Sequence, residues 1–187
     1  DFRYRCVQVY EKWYGTSHTR PDLLQESVYG LPELHRNDIK HYRLIGNPGC
    51  YTTCAILALA PLVAKGFIDL KSIIIDAKSG ATGAGKGLSL GLHFCELDQN
   101  TRAYTVATHR HTSEIEQELG ALVQQDIKLS FTPHLLPIKR GILSTIYASL
   151  IKSCSFKEIF DLYMEFYDNE PFIILHEKGS LPEIKHV

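Results

Sequence analysis

Cys50 follows an Asn47-Pro48-Gly49 turn and opens an apolar run that continues to Lys65. A turn leading into a helix puts that thiol at the positive end of the helix macrodipole, which favours the nucleophilic thiolate. The unpaired N–H groups of such a helix start could also hold an oxyanion. The pattern suits nucleophilic catalysis through sulfur. The structural alternative is a cysteine that merely begins a buried helix. Cys54 lies one turn along the same face and reads as a buried structural thiol.

Three further segments carry chemistry. His109-Arg110-His111-Thr112 ends an expected strand, so a histidine there could act as general acid or base and Arg110 could clamp an anion. A solvated charged loop is the alternative. His-x-His also has metal-pair spacing, but no third ligand lies nearby in sequence, so no metal is expected. Ser79-Gly80-Ala81-Thr82-Gly83-Ala84-Gly85-Lys86 has the glycine gap of a phosphate-binding P-loop, yet Gly87 stands where Ser or Thr would hold magnesium. The GxGxxG spacing is absent too. This loop suits contact with a cofactor held mainly by another domain. Thr132 to Gly141 holds Pro133, Pro137, Lys139 and Arg140. It reads either as a rigid surface hairpin or as an anion-binding loop.

The elements that must position these groups follow from periodicity and punctuation. Helices are expected over 7–14 (closed by Gly15), over Cys50 to Lys65 (with a kink at Pro61 and a stop at Gly66), over 113–124 and over 155–167. Ser113 and Glu116 match a capping box. One helical turn is expected within 22–27, in an otherwise loop-like stretch from 16 to 34. Strands are expected over 41–46, 72–77, 101–107, 127–132, 141–152 and 172–175. The mixed order favours an α+β fold, with a mixed, mostly antiparallel sheet and helices on one face.

The 187 residues include 20 Lys+Arg and 21 Asp+Glu, giving a net charge of −1. That balance gives no bulk-charge case for nucleic acid. No apolar run is long enough for a membrane span, and no signal-peptide pattern opens the chain. The five cysteines, an odd number, do not form a disulfide framework or a zinc-binding pattern. Apart from one candidate nucleophile they read as buried, reduced thiols of a cytoplasmic protein. The chain starts without Met and both ends look like cuts, so a longer parent protein is expected.

Four segments together carry a resemblance. Asn47-Pro48-Gly49-Cys50-Tyr51, Ser-Gly-x-x-Gly-Ala-Gly over 79–85, His-Arg-His-Thr-x-Glu-Ile over 109–115 and Pro-x-x-Arg-Gly-Ile-Leu over 137–143 occur in this order. The chain resembles the N-acetyl-gamma-glutamyl-phosphate reductase family of arginine biosynthesis. Asp1-Phe2-Arg3, Trp13-Tyr14-Gly15 and Tyr29-Gly30-Leu31-Pro32-Glu33 fit the likeness, which covers nearly the whole chain. Thr52 and Ser113 stand where that family often has proline, and neither change removes a reactive group.

The resemblance implies a catalytic and oligomerisation domain across 1–187, like the C-terminal domain of glyceraldehyde-3-phosphate dehydrogenase. The N-terminal dinucleotide-binding domain lies outside this chain. It implies Cys50 as nucleophile, with His109 and His111 as the candidate acid and His109 preferred. Arg3, Arg110 and Arg140 would bind substrate, and Ser79, Gly80, Gly83, Ala84 and Gly85 would meet NADP. It also implies a small acyl-phosphate substrate and a homo-dimer or homo-tetramer. A carrier-linked or aminoadipyl acyl phosphate is a close variant. A thiol hydrolase or transferase without nicotinamide, or a pure assembly module, are the alternatives of another class.

Overall fold

The computed structural model describes residues 1–186. Helix α1 (Val7–Tyr14) ends at Gly15 in the left-handed region. A 3-10 turn (Pro21–Glu26) leads to β1 (Ser27–Tyr29), α2 (Pro32–Ile39) and β2 (Leu44–Gly46). Then come α3 (Cys50–Ala64), β3 (Ile74–Ser79), the short α4 (Phe94–Leu97) and β4 (Arg102–Ala103). Helix α5 (His111–Val123), β5 (Ser130–Leu135), β6 (Ile142–Tyr147) and α6 (Phe156–Phe166) complete the order.

Strands β1 and β2 form a separate parallel pair. The main sheet runs β4-β5-β3-β6. Its central β3 pairs parallel with β5 and antiparallel with β6, and β4 pairs antiparallel with β5. The fold is thus α+β with a mixed sheet, antiparallel at two of its three pairings. Side chains alternate as the two-residue period requires. Ile75, Ala77 and Phe131 are buried in one cluster with residues of α3 and α5, while Ile74, Leu143 and Tyr147 are exposed. Helices therefore cover one face, where Ile56, Leu59, Ile115 and Leu119 complete the core.

Helix α3 is apolar on nearly every side because it lies between the sheet, α5 and α6. Pro61 does not end it. A proline at that position leaves the Leu57 carbonyl without its helical donor, and the Tyr167 hydroxyl donates to that carbonyl at 2.5 Å. Tyr163 likewise donates to the Ala58 carbonyl, so α6 repairs the helix it packs on.

Several expectations need correction. The loop-like stretch expected from 16 to 34 gives way at its end to the helix Pro32–Ile39, with Pro32 in its first turn. The 101–107 strand shrinks to Arg102–Ala103, because Thr105 (φ 43°) and Ala107 (φ 59°) adopt left-handed backbone. Helix α5 starts at His111, so Ser113 lies inside it and donates to the Arg110 carbonyl; the capping box instead joins Ser155 and Glu158 on α6. No hairpin spans 132–141, since β3 lies between β5 and β6. Residues 172–175 form no strand, and Phe172 and Ile174 stand in the open. The cysteines are not buried: Cys6, Cys50 and Cys95 are exposed, and Cys54 and Cys154 are half-buried.

Candidate active site

Cys50 is the first residue of α3, directly after β2 and its Asn-Pro-Gly turn. Its neighbour Gly49 is where α3 meets α5. A Cβ built on Gly49 would lie 2.7 Å from His111 Cε1 and 2.9 Å from its Cδ2, so the imidazole occupies the space a side chain would need. His111 is the first residue of α5. The starts of two helices, bearing a thiol and an imidazole, are thereby packed face to face.

His109 completes the group. Its ring meets that of His111 at 4.6 Å between centroids and the Tyr51 ring edge-on at 5.8 Å. The His111 N–H donates to His109 Nδ1 at 3.1 Å. A neutral His109 therefore carries its proton on Nε2 and can donate it there. Phe131, Tyr51 and Tyr104 surround the pair, and Tyr104 donates to the Tyr51 hydroxyl at 3.0 Å. This apolar wall removes water from both rings. Burial, and then the Arg110 charge, pull His109 down to about 4. Burial, His109, Arg3 and Arg110 pull His111 down to about 3. Both imidazoles are neutral near pH 7.

That neutrality has a stability consequence. Below the ordinary histidine value of about 6.5 the unfolded chain takes up protons that the folded chain refuses, so stability falls as pH drops from about 6.5 toward 4. Going from pH 7 to 5 is expected to cost up to about 2 kcal/mol through His111, and less through the more open His109. Denaturant midpoints at the two pH values check this: His111→Asn should reduce the difference, and an unchanged difference would mean the ring titrates normally.

Cys50, Tyr51, Ser79, Gly80, Gly83, Ala84, His109, Arg110 and His111 line one cavity of about 330 Å³. Ser89, Leu92, Arg102, Tyr104 and Leu135 share it. Arg110 stands over the Tyr14 ring at 5.2 Å. Arg3, Arg140 and Gly85 are not part of the lining. Arg3 is held by Asp1, by the Tyr14 hydroxyl at 2.8 Å and by Glu114 at 3.1 Å. Arg140 and Lys139 are exposed, and their loop acts through its backbone. The carbonyls of Ile138, Lys139 and Gly141 accept from Ala81, Thr82 and Gly80. A Cβ on Gly80 would lie 2.7 Å from the Arg140 nitrogen, so glycine is needed there for this backbone approach.

Sequence reasoning passed over Arg102 and Tyr104. They sit two apart just before His109, the spacing that puts extended residues on one face. It also passed over Glu114, which the His-Arg-His-Thr-x-Glu-Ile segment includes but to which it gives no role. Cys54 is half-buried; its thiol contacts the Ser144 hydroxyl at 3.3 Å, and burial pushes its pKa up. A larger cleft of about 640 Å³ between α1 and α5 carries Cys6 but no histidine. Among the described residues no helix is long and apolar enough to cross a membrane.

Comparison with known proteins gives the family and the fold. Residues 50–187 match the family described as semialdehyde dehydrogenase, dimerisation domain. The whole chain is 58% identical to an N-acetyl-gamma-glutamyl-phosphate reductase of Acetivibrio thermocellus and 54% identical to one of Pelotomaculum thermopropionicum. It spans about half the length, 54%, of each. In fold it is similar to an aspartate semialdehyde dehydrogenase II of Vibrio cholerae, with a TM-score of 0.60, 12% identity, 86% of this chain and 54% of that chain covered. An aspartate semialdehyde dehydrogenase of Francisella tularensis gives 0.55 at 12% identity, covering 76% and 52%. The chain belongs to the semialdehyde dehydrogenase dimerisation-domain family.

Proposed function

We propose that this chain is the catalytic and assembly domain of a reductase that converts N-acetyl-glutamyl 5-phosphate to its semialdehyde in arginine biosynthesis. The observation that carries the reading is one cavity shared by Cys50 and two neutral imidazoles. The names of the full-chain relatives support the substrate. Cys50 Sγ attacks the acyl carbon and phosphate leaves, giving a thioester. NADPH, when bound, supplies a hydride to that carbonyl. His109 Nε2–H donates a hydrogen bond to the oxygen as it becomes anionic and holds that charge until the C–S bond breaks, when the Cys50 sulfur leaves with the bonding pair and the aldehyde forms. The N–H groups of Cys50 and Tyr51 open α3 and can share the oxyanion's charge. Arg110 and Arg102 would hold the substrate's carboxylate or phosphate.

The rim of the cavity fits a nicotinamide edge. Gly83 has open space where a side chain would be, and with Ala84 it borders the cavity. The chain has no dinucleotide fingerprint of its own, so the 187 residues alone are expected to show no reductase turnover. The exposed Ile74, Leu143 and Tyr147 on the uncovered sheet face suit packing against a second copy, as the family's description suggests.

The test uses the full-length protein with NADPH and three acyl phosphates: N-acetyl-glutamyl, aspartyl and carrier-linked aminoadipyl. The expected result is a kcat/KM at least about 100-fold higher for the first. Preference for either of the others overturns the substrate. Phosphate release without NADPH oxidation overturns the reductase class in favour of a hydrolase.

A further inference from the structure

Helix α5 carries two carboxylates with almost no exposure, Glu114 (0%) and Glu118 (1%), one turn apart. A buried carboxylate is costly unless donors surround it, so the identity of the donors shows what each one organises. Glu118 is held by Arg5 at 3.1 Å, His35 Nε2 at 2.8 Å and Gln117 at 2.8 Å. None of these lies in the catalytic cavity. Glu114 is different. Its Oε1 accepts from the Gly49 N–H at 3.0 Å, the Thr52 hydroxyl at 3.0 Å and the Tyr29 hydroxyl at 2.6 Å, and its Oε2 accepts from Arg3 at 3.1 Å.

Two of those donors belong to the turn and first coil of α3 that carry Cys50. His111, three residues before Glu114 on the same helix, packs its ring on the Gly49 Cα. The residue before Cys50 is thus held from α5 at two points, by an imidazole and by a carboxylate. Glu114 itself does not border the cavity. The geometry points to Glu114 as a positioning residue that fixes the thiol of Cys50 against His111, with Arg3 acting through Glu114 rather than on substrate. Arg3 suits that role: Asp1, Tyr14 and Glu114 engage its guanidinium. The inference rests on Cys50 being the nucleophile of the proposed reaction.

The experiment compares Glu114→Gln with Glu118→Gln in the full-length protein, with thermal midpoints, kcat, KM and iodoacetamide alkylation of each cysteine by peptide mapping. Both variants are expected to lose stability. Only Glu114→Gln should lower kcat, by tenfold or more with KM within twofold, and only it should change the alkylation rate of Cys50 fivefold or more while Cys6 and Cys95 keep theirs. Arg3→Met should follow Glu114→Gln, and Arg3→Lys should recover part of kcat. If Glu114→Gln does not fold, Tyr29→Phe removes a single donor and should lower kcat about threefold with the same selectivity for Cys50. Equal losses in the Glu114 and Glu118 variants, with Cys50 alkylation unchanged in both, would overturn the proposal. Selective change at Cys50 in a protein without reductase turnover would uphold the positioning role and remove the reductase reading.

Discussion

Replacing Cys50 with serine in the full-length protein is expected to lower kcat for acyl-phosphate reduction by about 10⁴-fold or more. The reaction needs an acyl group carried on sulfur. Serine presents a hydroxyl that stays protonated, and the ester it would form accepts hydride poorly. The two neutral imidazoles beside it cannot restore a thioester. The fold should barely respond, because Cys50 is exposed and surface changes of this size fall within about 0.5 kcal/mol. A rapid-quench measurement without NADPH separates the chemistry from its alternatives. The parent protein should release a burst approaching about one phosphate per chain and then stop, since the thioester waits for hydride. Cys50→Ser should show no burst. Continuous phosphate release without nicotinamide would mean a thiol hydrolase, and a full burst in the serine variant would mean that another group is acylated.

The parts of the site that were legible in the sequence are those that local chemistry determines. A Pro-Gly turn before an apolar run locates the start of α3 at Cys50, and His109 and His111 stand close to the start of α5. What was not legible depends on partners distant in the chain. Strand β5 lies three residues later than its β-rich run because Pro133 reads as a stop. In a strand the N–H and carbonyl of one residue point the same way, and the Pro133 carbonyl accepts from Tyr104 on the β4 side. Its missing donor therefore faces the short edge strand and not β3, where it would break the ladder. Helix α2 is polar and weakly patterned, so only Pro32 at its start marked it. Arg3 looks like a free cation in the sequence; only the fold brings Glu114, 111 positions later, to its guanidinium. The glycines of 80–85 invite a cofactor reading as a group, yet Gly80 answers to the backbone of Lys139 and Arg140.

Gly49→Ala is expected to damage catalysis far out of proportion to the single methyl it adds. The new Cβ would overlap the His111 imidazole, approaching to 2.7 Å of Cε1. Backbone strain is not the reason, since Gly49 sits at φ −71°, which alanine adopts freely. The damage comes from what cannot move. His111 is 8% exposed and its ring is bounded by Tyr51 at 6.0 Å and His109 at 4.6 Å. The Gly49 N–H is tied to Glu114, which holds the turn from the other side. Either the ring leaves its seat or α3 and α5 separate at their starts. Overpacking of this kind costs about 1–3 kcal/mol, and both outcomes move the thiol relative to the imidazoles. Misplacement of about 1 Å costs on the order of 100-fold in rate, so kcat should fall by at least that factor, far more than the stability loss explains. The double variant Gly49→Ala/His111→Gly provides the check, because removing the ring makes room for the methyl. Its thermal midpoint should recover toward that of His111→Gly alone while kcat stays low. A double variant that is less stable than either single change would show that the methyl strikes something other than His111.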